Sequence, residues 1–273
     1  MLGREHGLSG IAGGAAVGEL VLHLPPSGVA VLAGLTGAMA TMPDLDQCES
    51  SAARCLGFLS EAFAWVIEHI SGGHRHATHS IMGIAAFTGW AWAGYHWDRY
   101  PGGKAALGLL VALALAAGAR ALHLGGHLAD TAALAGGAVI AWTGWGMHRV
   151  VLATGLGCGI HVCGDMITTR GCPLLWPLTM YRVGLPRPLA FDAGAWQETY
   201  LVLPALLGAT GWLGAADIPV HHALTSRAHA ALGAALALAL GLLVTGPGLL
   251  HRRRRRRWRS PEAGTRRPSP RRA

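Results

Sequence analysis

Charged residues are scarce in this chain, and their scarcity excludes an ordinary soluble domain. Only 13% of the 273 residues are charged, whereas 52% are hydrophobic and 40 are glycine. Soluble domains are about 25% charged. Together with a positive mean hydropathy of +0.37, this composition favours a membrane protein.

Paired cysteines and a signal peptide are missing as well. The five cysteines are an odd number and none are spaced as CxxC, which argues against both a disulfide framework and a zinc ribbon. The first apolar stretch lacks a strong basic region before it, and Glu19 interrupts it. A cleaved signal peptide is therefore not expected.

The net excess of positive charge lies in the C-terminal tail. The formal net charge is +8, but residues 251–273 hold 11 arginines and one glutamate, a net of +10, which leaves −2 for the first 250 residues. The sequence predicts a membrane-embedded domain over residues 1–250 and a basic, disordered cytoplasmic tail over 251–273. The tail is expected to contact anionic lipid, with nucleic acid as a lesser alternative.

Long apolar segments predict an all-α, polytopic bundle of about six to eight transmembrane or half-buried helices. A spanning helix needs about 20 mostly apolar residues. The candidate segments are residues 8–24, 29–42, 80–97, 105–122, 131–147, 149–163, 200–215 and 228–250. The first two are shorter or carry a charge, so they are expected either to span or to pack half-buried.

One further segment, residues 55–70, mixes charged and apolar side chains. Glu61 and Glu68 interrupt it, while apolar residues recur at helical spacing. This pattern predicts an interfacial helix, with Leu56, Leu59, Phe63, Val66 and Ile67 on its apolar face.

The arginine run directly after the last segment predicts a cytoplasmic C-terminus, in a multi-pass protein of the bacterial inner membrane. Eight alternating crossings then place residues 1–7, 43–79, 123–130 and 164–199 on the cytoplasmic side. Four polar stretches lie in or at the edge of those connections. They are REHG, TMPDLDQ, HRHATHS and HVCGD.

These four stretches carry the side chains that bind metals. Imidazoles suit zinc, manganese or iron, and paired carboxylates near a low-dielectric boundary repel each other unless a cation neutralises them. Each stretch alone also fits a solvated turn, a helix cap or a buried hydrogen bond. Together they predict a site for one or two divalent ions, with zinc first and manganese or iron as alternatives. The candidate ligands are His6, Asp44, Asp46, His74, His79, His161 and Asp165.

An arginine and three hydroxyl residues accompany these candidate ligands. Arg75 offers a fork that matches a phosphate, so we expect it to orient an anionic group. Thr78, Ser80 and Thr168 are expected to fix the geometry of the ligands. Thr78 and Ser80 have an alternative role as caps of the following helix.

The order of these motifs resembles a known family. An N-terminal His, PDLD, HRxxTHS before an apolar segment and HxxxDxxTxxGxPLLWP, spread over residues 6 to about 178, are similar to the YdjM-like membrane-bound metal-dependent hydrolases of bacteria. Gln47 stands where that family has a His, and His76 where it has a Gly. A more distant likeness, based on ligand type, is to the all-helical zinc phospholipase C group.

The resemblance implies a hydrolase. A metal-activated water, whose pKa falls toward about 7, would attack an ester bond. The expected substrate is a phosphoester of a lipid or a lipid-linked molecule. The alternatives are a metal-ion transporter, whose ligands would lie near the bilayer midplane, and a non-catalytic membrane protein with a closed structural metal site. Of the three histidines in HRHATHS, His76 is expected to be the most dispensable.

Overall fold

The computed structural model describes residues 1–144, 146–186 and 189–215. Those residues form eight α-helices and no β-strand, which confirms the predicted all-α class. The helices are α1 (Gly3–Ala16), α2 (Pro26–Met39), α3 (Phe58–Ser71), α4 (Ile81–His96), α5 (Pro101–Ala121), α6 (His127–Thr143), α7 (Met147–Met166) and α8 (Leu203–Ala215). The predicted segment 228–250 and the tail 251–273 lie outside the described residues.

Short non-α turns lengthen two of the predicted segments. A π-helical turn, Val17–Val21, continues α1, and a 3-10 turn, Met42–Asp46, follows α2. Proline occupies the first turn of both α2 and α5, where its missing N–H is not needed and its fixed φ favours helix. The seven predicted segments within the described residues therefore each correspond to a helix, with ends shifted by a few residues.

The centre of the bundle is built by α2, α5 and α7. Helix α2 packs against α1, α5 and α7, while α4 packs against α5 and α7. Leu32, Met39, Leu107, Leu110 and Val150 are fully buried there. Small residues let α2 and α7 approach closely, since a Cβ added at Gly157 would lie 2.7 Å from the backbone nitrogen of Ala40.

Helix α3 occupies the segment for which an interfacial helix was predicted, and small residues form its buried face. Ser60 and Ala64 are fully buried, whereas Leu59 and Val66 of the predicted apolar face are 66% and 42% exposed. Small residues face the bundle because they let the helix approach it. Gly72 ends α3 with a φ of 81°, a left-handed conformation that favours glycine.

Two described helical stretches are long and apolar enough to cross a membrane. They are Pro26–Asp46 and Pro101–Ala121, each of 21 residues. Helix α7 has 20 residues but carries Arg149, His161 and Asp165. The predicted number of six to eight spans therefore exceeds what length and hydropathy establish for the described residues.

Candidate metal centre

Four parts of the chain meet at one end of the bundle. They are the start of α1, the 3-10 turn after α2, the segment before α4 and the last turns of α7. These parts bring together all seven residues that the sequence predicts as ligands. Five of the side chains are fully buried, namely His6, Asp46, His79, His161 and Asp165. Those of Asp44 and His74 are 15% and 26% exposed.

Four of these residues form an inner quartet, which consists of Asp44, His79, His161 and Asp165. The Nε2 atoms of the two histidines face each other at 3.0 Å. Oδ1 of Asp44 lies 3.6 Å from each of these nitrogens. Oδ2 of Asp165 lies 3.4 Å from Nε2 of His79 and 3.8 Å from that of His161.

The hydrogen bonds on the far side of each ring fix which nitrogen carries the proton. Nδ1 of His161 lies 2.6 Å from the carbonyl oxygen of Ala40, which can only accept, so this Nδ1 donates. Nδ1 of His79 lies 2.9 Å from Oγ1 of Thr78 and 3.2 Å from Oδ2 of Asp46. Both Nε2 atoms therefore present lone pairs to the same point, and these repel unless a cation or a proton lies between them.

The quartet fits a divalent cation. Four ligands placed tetrahedrally at zinc-like distances lie about 3.3 Å apart, and the separations given above run from 3.0 to 3.8 Å. Oδ2 of Asp165 is buried without a hydrogen-bond partner among the described residues. Two groups that share no residue could hold a metal, one of Asp44, Asp46, His74 and His79 and the other of His6, His161 and Asp165. Each group contributes two members of the quartet.

Asp46 lies behind His79 and organises the segment before α4. Its carboxylate accepts hydrogen bonds from Nδ1 of His74 at 2.8 Å, from the backbone nitrogen of Arg75 at 3.0 Å and from the hydroxyl of Thr78. A carboxylate with several donors fixes the ring that it supports. Asp46 therefore holds His79 in the orientation that turns Nε2 toward the quartet.

Arg75 is buried and ties the segment before α4 to α7. Nη2 donates to Oδ1 of Asp165 at 2.6 Å, and Nη1 donates to Oγ1 of Thr168 at 3.0 Å. Its backbone has a φ of 59°, a conformation that costs about 1–3 kcal/mol for a residue with a side chain. The charged hydrogen bond to Asp165 offsets this strain. In this structure the guanidinium orients a ligand residue, whereas the sequence predicted that it orients a bound anion.

His6 and the N-terminal amino group both lie against Asp165. Its ring stacks on that of His161 with centroids 3.6 Å apart, and its Nε2 lies 3.2 Å from Oδ1 of Asp165. The amino group of Met1 donates to the same oxygen at 2.6 Å. Neither ring nitrogen of His6 has a hydrogen-bond partner among the described residues, so His6 has lone-pair capacity to spare.

Two polar residues of the HRHATHS stretch, Ser80 and His76, form their hydrogen bonds away from the candidate ligands. The hydroxyl of Ser80 accepts from the backbone nitrogen of Gly83 at 3.2 Å and donates to Ala77 O at 2.6 Å. This is the capping role, and it corrects the prediction that Ser80 fixes ligand geometry. Nδ1 of His76 bonds the carbonyl of Gly72. By contrast, Thr78 and Thr168 lie against the cluster as predicted.

The electrostatics of the cluster favour a positive charge on or near His79. Burial opposes protonation of the ring, but hydrogen bonds with the carboxylates of Asp165, Asp44 and Asp46 outweigh it and raise the pKa of His79 well above its ordinary value. The carboxylates thus attract either a proton or a metal ion to this point, and the two compete.

Two contacts of the site have no signal, or only a weak one, in the sequence. The carbonyl of Ala40 positions His161, yet a backbone oxygen leaves no residue type to detect. Glu198 is fully buried, and its Oε1 accepts from the backbone nitrogen of Leu2 at 2.5 Å, which anchors the chain just before α1. The one hint in the sequence is an acidic residue directly before the apolar run of α8.

A polar cavity of about 230 Å³ opens onto the cluster. Asp44, His74 and Arg75 line it from the cluster side, and Gln47 and Ser50 line it from the connection after α2. Gln47, which stands where the YdjM-like family has a His, therefore lines this cavity. The quartet has one member, Asp44, on the cavity wall, so a small polar molecule can reach it.

Comparison with known proteins agrees with the motif order. The sequence profile of a family described as YdjM inner membrane protein matches residues 1–218. This range includes every helix described here and every residue of the cluster. No curated protein and no solved structure gives a significant match to the chain.

Proposed function

The chain belongs to the YdjM family of inner membrane proteins, and we propose that it is a metal-dependent hydrolase acting at that membrane. The observation that supports this function is the quartet itself. Two imidazole lone pairs and the unpartnered Oδ2 of Asp165 converge on one point, and Asp44 joins that point to an open polar cavity.

The quartet residues Asp44, His79, His161 and Asp165 would hold the ion, with zinc favoured and manganese or iron as alternatives. When bound there, a divalent ion supplies Lewis-acid chemistry, which lowers the pKa of water toward about 7 and offsets charge on an ester oxygen. Asp46 and the carbonyl of Ala40 keep both histidine rings oriented. If a second ion binds, Asp46 and His74 would be its further ligands beside Asp44 and His79, or His6 would be its further ligand beside His161 and Asp165.

The polar cavity would admit the substrate. Asp44 and Glu49 line it together with His74 and Arg75, and the Arg75 guanidinium is paired with Asp165, so an anionic phosphoester would be attracted mainly by a divalent ion held beside the cavity. Gln47 and Ser50 add neutral hydrogen-bonding groups to the wall. A lipid or lipid-linked phosphoester is consistent with a site at the end of a bundle in an inner membrane protein.

The position of the ligands disfavours the two rival functions. A transporter would hold its ion near the bilayer midplane, whereas these ligands gather where four helix ends meet. A structural metal would have a closed coordination sphere, whereas Asp44 lies on the wall of an open cavity. The hydrolase therefore accounts for more of the arrangement.

We further propose that six to eight helices lie in the membrane with the cluster on the cytoplasmic side. The alternating order of crossings assigns connections 43–79 and 123–130 to one side. Nε of Arg120, at the end of α5, donates to the carbonyl of Cys55 at 2.9 Å, which supports that shared side. A reporter fused after residue 250 tests the orientation, and a periplasmic signal would reverse it.

The function is tested with two histidines from the same segment. Wild type, His79→Ala and the control His76→Ala are purified, their metal content is measured by mass spectrometry, and a panel of phosphoesters is assayed. Since His79 belongs to the quartet and His76 does not, His79→Ala should lose its metal and lower turnover by at least about 100-fold. His76→Ala should match wild type.

Each other outcome points to a different function. Wild-type protein without a divalent metal would contradict the hydrolase. A full complement of metal without turnover of any ester would favour the structural site, and metal uptake into vesicles would favour the transporter.

A further inference from the structure

A second cavity, of about 320 Å³, lies beside the same segment before α4 and is almost entirely apolar. Helix α3 contributes one wall, the first turns of α4 contribute another, and Trp176 closes one side. The large side chains of its wall are Phe63, Ile67, Met82, Phe87, Trp90 and Trp176. No charged residue lines this apolar groove among the described residues, so its shape and chemistry suit a hydrocarbon.

The apolar groove adjoins the metal cluster through one residue. Thr78 lines the groove, while its hydroxyl contacts the carboxylate of Asp46 and lies 2.9 Å from Nδ1 of His79. Three residues earlier, Arg75 lines the polar cavity. A single short segment therefore separates an apolar groove from a polar cavity, with quartet residue His79 at its end.

The apolar groove is also continuous with the outer surface of the bundle. Ile70 and Met82, which line it, are 73% and 55% exposed. In an inner membrane protein, exposed side chains of this kind face hydrocarbon, because a large apolar patch on a soluble surface is rare. A lipid chain can therefore pass from the bilayer into the groove without crossing a polar barrier.

We propose that the apolar groove holds one hydrocarbon chain of a membrane lipid whose anionic phosphoester occupies the polar cavity beside the quartet. This inference rests on the proposed function for the head group and narrows the substrate class to lipids, as opposed to soluble phosphoesters. The groove supplies chain recognition by burial of apolar surface, and an ion held by the quartet beside the cavity would supply recognition of charge.

The experiment measures occupancy of the apolar groove without requiring catalysis. Full-length protein in lipid nanodiscs is irradiated with phosphatidic acid that carries a diazirine near the end of one chain, and labelled peptides are mapped. Ala86→Trp should fill the groove, because Ala86 lines it and is exposed. Ala85→Trp is the matched control, since Ala85 is exposed on the same helix but outside the groove wall.

Wild type and Ala85→Trp should show saturable labelling of groove residues that unlabelled phosphatidic acid displaces. Ala86→Trp should lower this labelling by about tenfold or more, with metal content equal in all three proteins. Equal labelling of the three proteins, or labelling that does not saturate, would overturn the proposal. A photoreactive residue at Met82 that links to residues 216–250 or to a second copy would also overturn it, because protein would then fill the groove.

A second assay distinguishes failure of the groove proposal from failure of the proposed hydrolase function. If the proposed function holds, a soluble short-chain phosphoester should be hydrolysed equally by wild type and Ala86→Trp, whereas the long-chain lipid should be hydrolysed about tenfold more slowly by the variant. Equal loss of both substrates in Ala86→Trp would show damage to the metal site and contradict a role in chain recognition. Labelling of the groove without hydrolysis would support the lipid-binding groove and contradict only the proposed hydrolase activity.

Discussion

Helices α5 and α7 have nearly equal lengths, 21 and 20 residues, yet they are stabilised by different interactions. Helix α5 buries only apolar residues and glycine, such as Leu107, Leu110 and Val111, and it is long and apolar enough to cross a membrane. Helix α7 buries Thr154, His161 and Asp165. A helix that carries a polar site inside a bundle thus loses the hydropathy by which spanning helices are recognised.

The difference predicts two kinds of sensitivity. Substitutions in α5 should alter packing and hence stability, because the side chains that it buries are all apolar. Substitutions at the end of α7 should alter metal binding first, because its neighbours contact it through hydrogen bonds and ion pairs.

The largest effect is expected for Asp165→Asn. The change keeps the shape of the side chain but removes the charge that faces two imidazole nitrogens and that balances Arg75 and the amino group of Met1. Removing one partner of a buried ion pair costs about 3–5 kcal/mol. We expect loss of bound metal and a lower free energy of unfolding, measured by metal analysis and by denaturation in detergent. Retention of stoichiometric metal would show that the charge of Asp165 is not needed to hold the ion.

The next effect is expected for Leu110→Ala in α5. Leu110 is fully buried, so its truncation should destabilise the protein by about 2–4 kcal/mol. Metal content per folded protein should stay at the wild-type level, because no quartet residue lies on α5. A parallel loss of metal and stability in this variant would contradict the division between the two helices.

The sequence predicted the site residues of α7 itself better than the residues of other helices that contact them. The spacing of His161 and Asp165 by four residues placed both on one face, and both belong to the quartet. Asp44 and His79 were expected at the same end because both lie in the single connection 43–79. The partner of His161, a carbonyl of α2, could not be predicted, because it depends on which helix packs against α7 and how closely.

The close approach of α2 and α7 offers a third test with a matched control. A Cβ at position 157 would lie 2.7 Å from Thr36 O and from the nitrogen of Ala40, so Gly157→Ala should push α7 away from α2. We expect destabilisation by about 1–3 kcal/mol and metal affinity about tenfold weaker, because His161 would move from the carbonyl of Ala40.

Gly159→Ala makes the same chemical change two residues later in the same helix. A Cβ there meets nothing within 4 Å and alanine favours the helix, so the unfolding free energy should equal that of wild type or exceed it by up to about 1 kcal/mol. Equal metal affinities for the two alanine variants, measured by competition with a chelator, would contradict a role for the α2 contact in the metal site.

The smallest effect is expected for Thr154→Val. This change tests whether a buried polar side chain of α7 matters for metal binding when its hydrogen bond lies within its own helix. Thr154 is fully buried, but its hydroxyl donates to the carbonyl of Val150 in its own helix at 2.7 Å. Valine keeps the shape of the side chain, and the carbonyl of Val150 still accepts the helical hydrogen bond, so the free energy of unfolding should change by less than about 0.5 kcal/mol.

Thr168→Val is the matched variant at the site, because Oγ1 of Thr168 accepts a hydrogen bond from Arg75 at 3.0 Å and donates one to Asp165 O at 2.7 Å. Metal affinity should weaken by about tenfold in Thr168→Val and stay unchanged in Thr154→Val; equal affinities would mean that Arg75 orients Asp165 without help from Thr168.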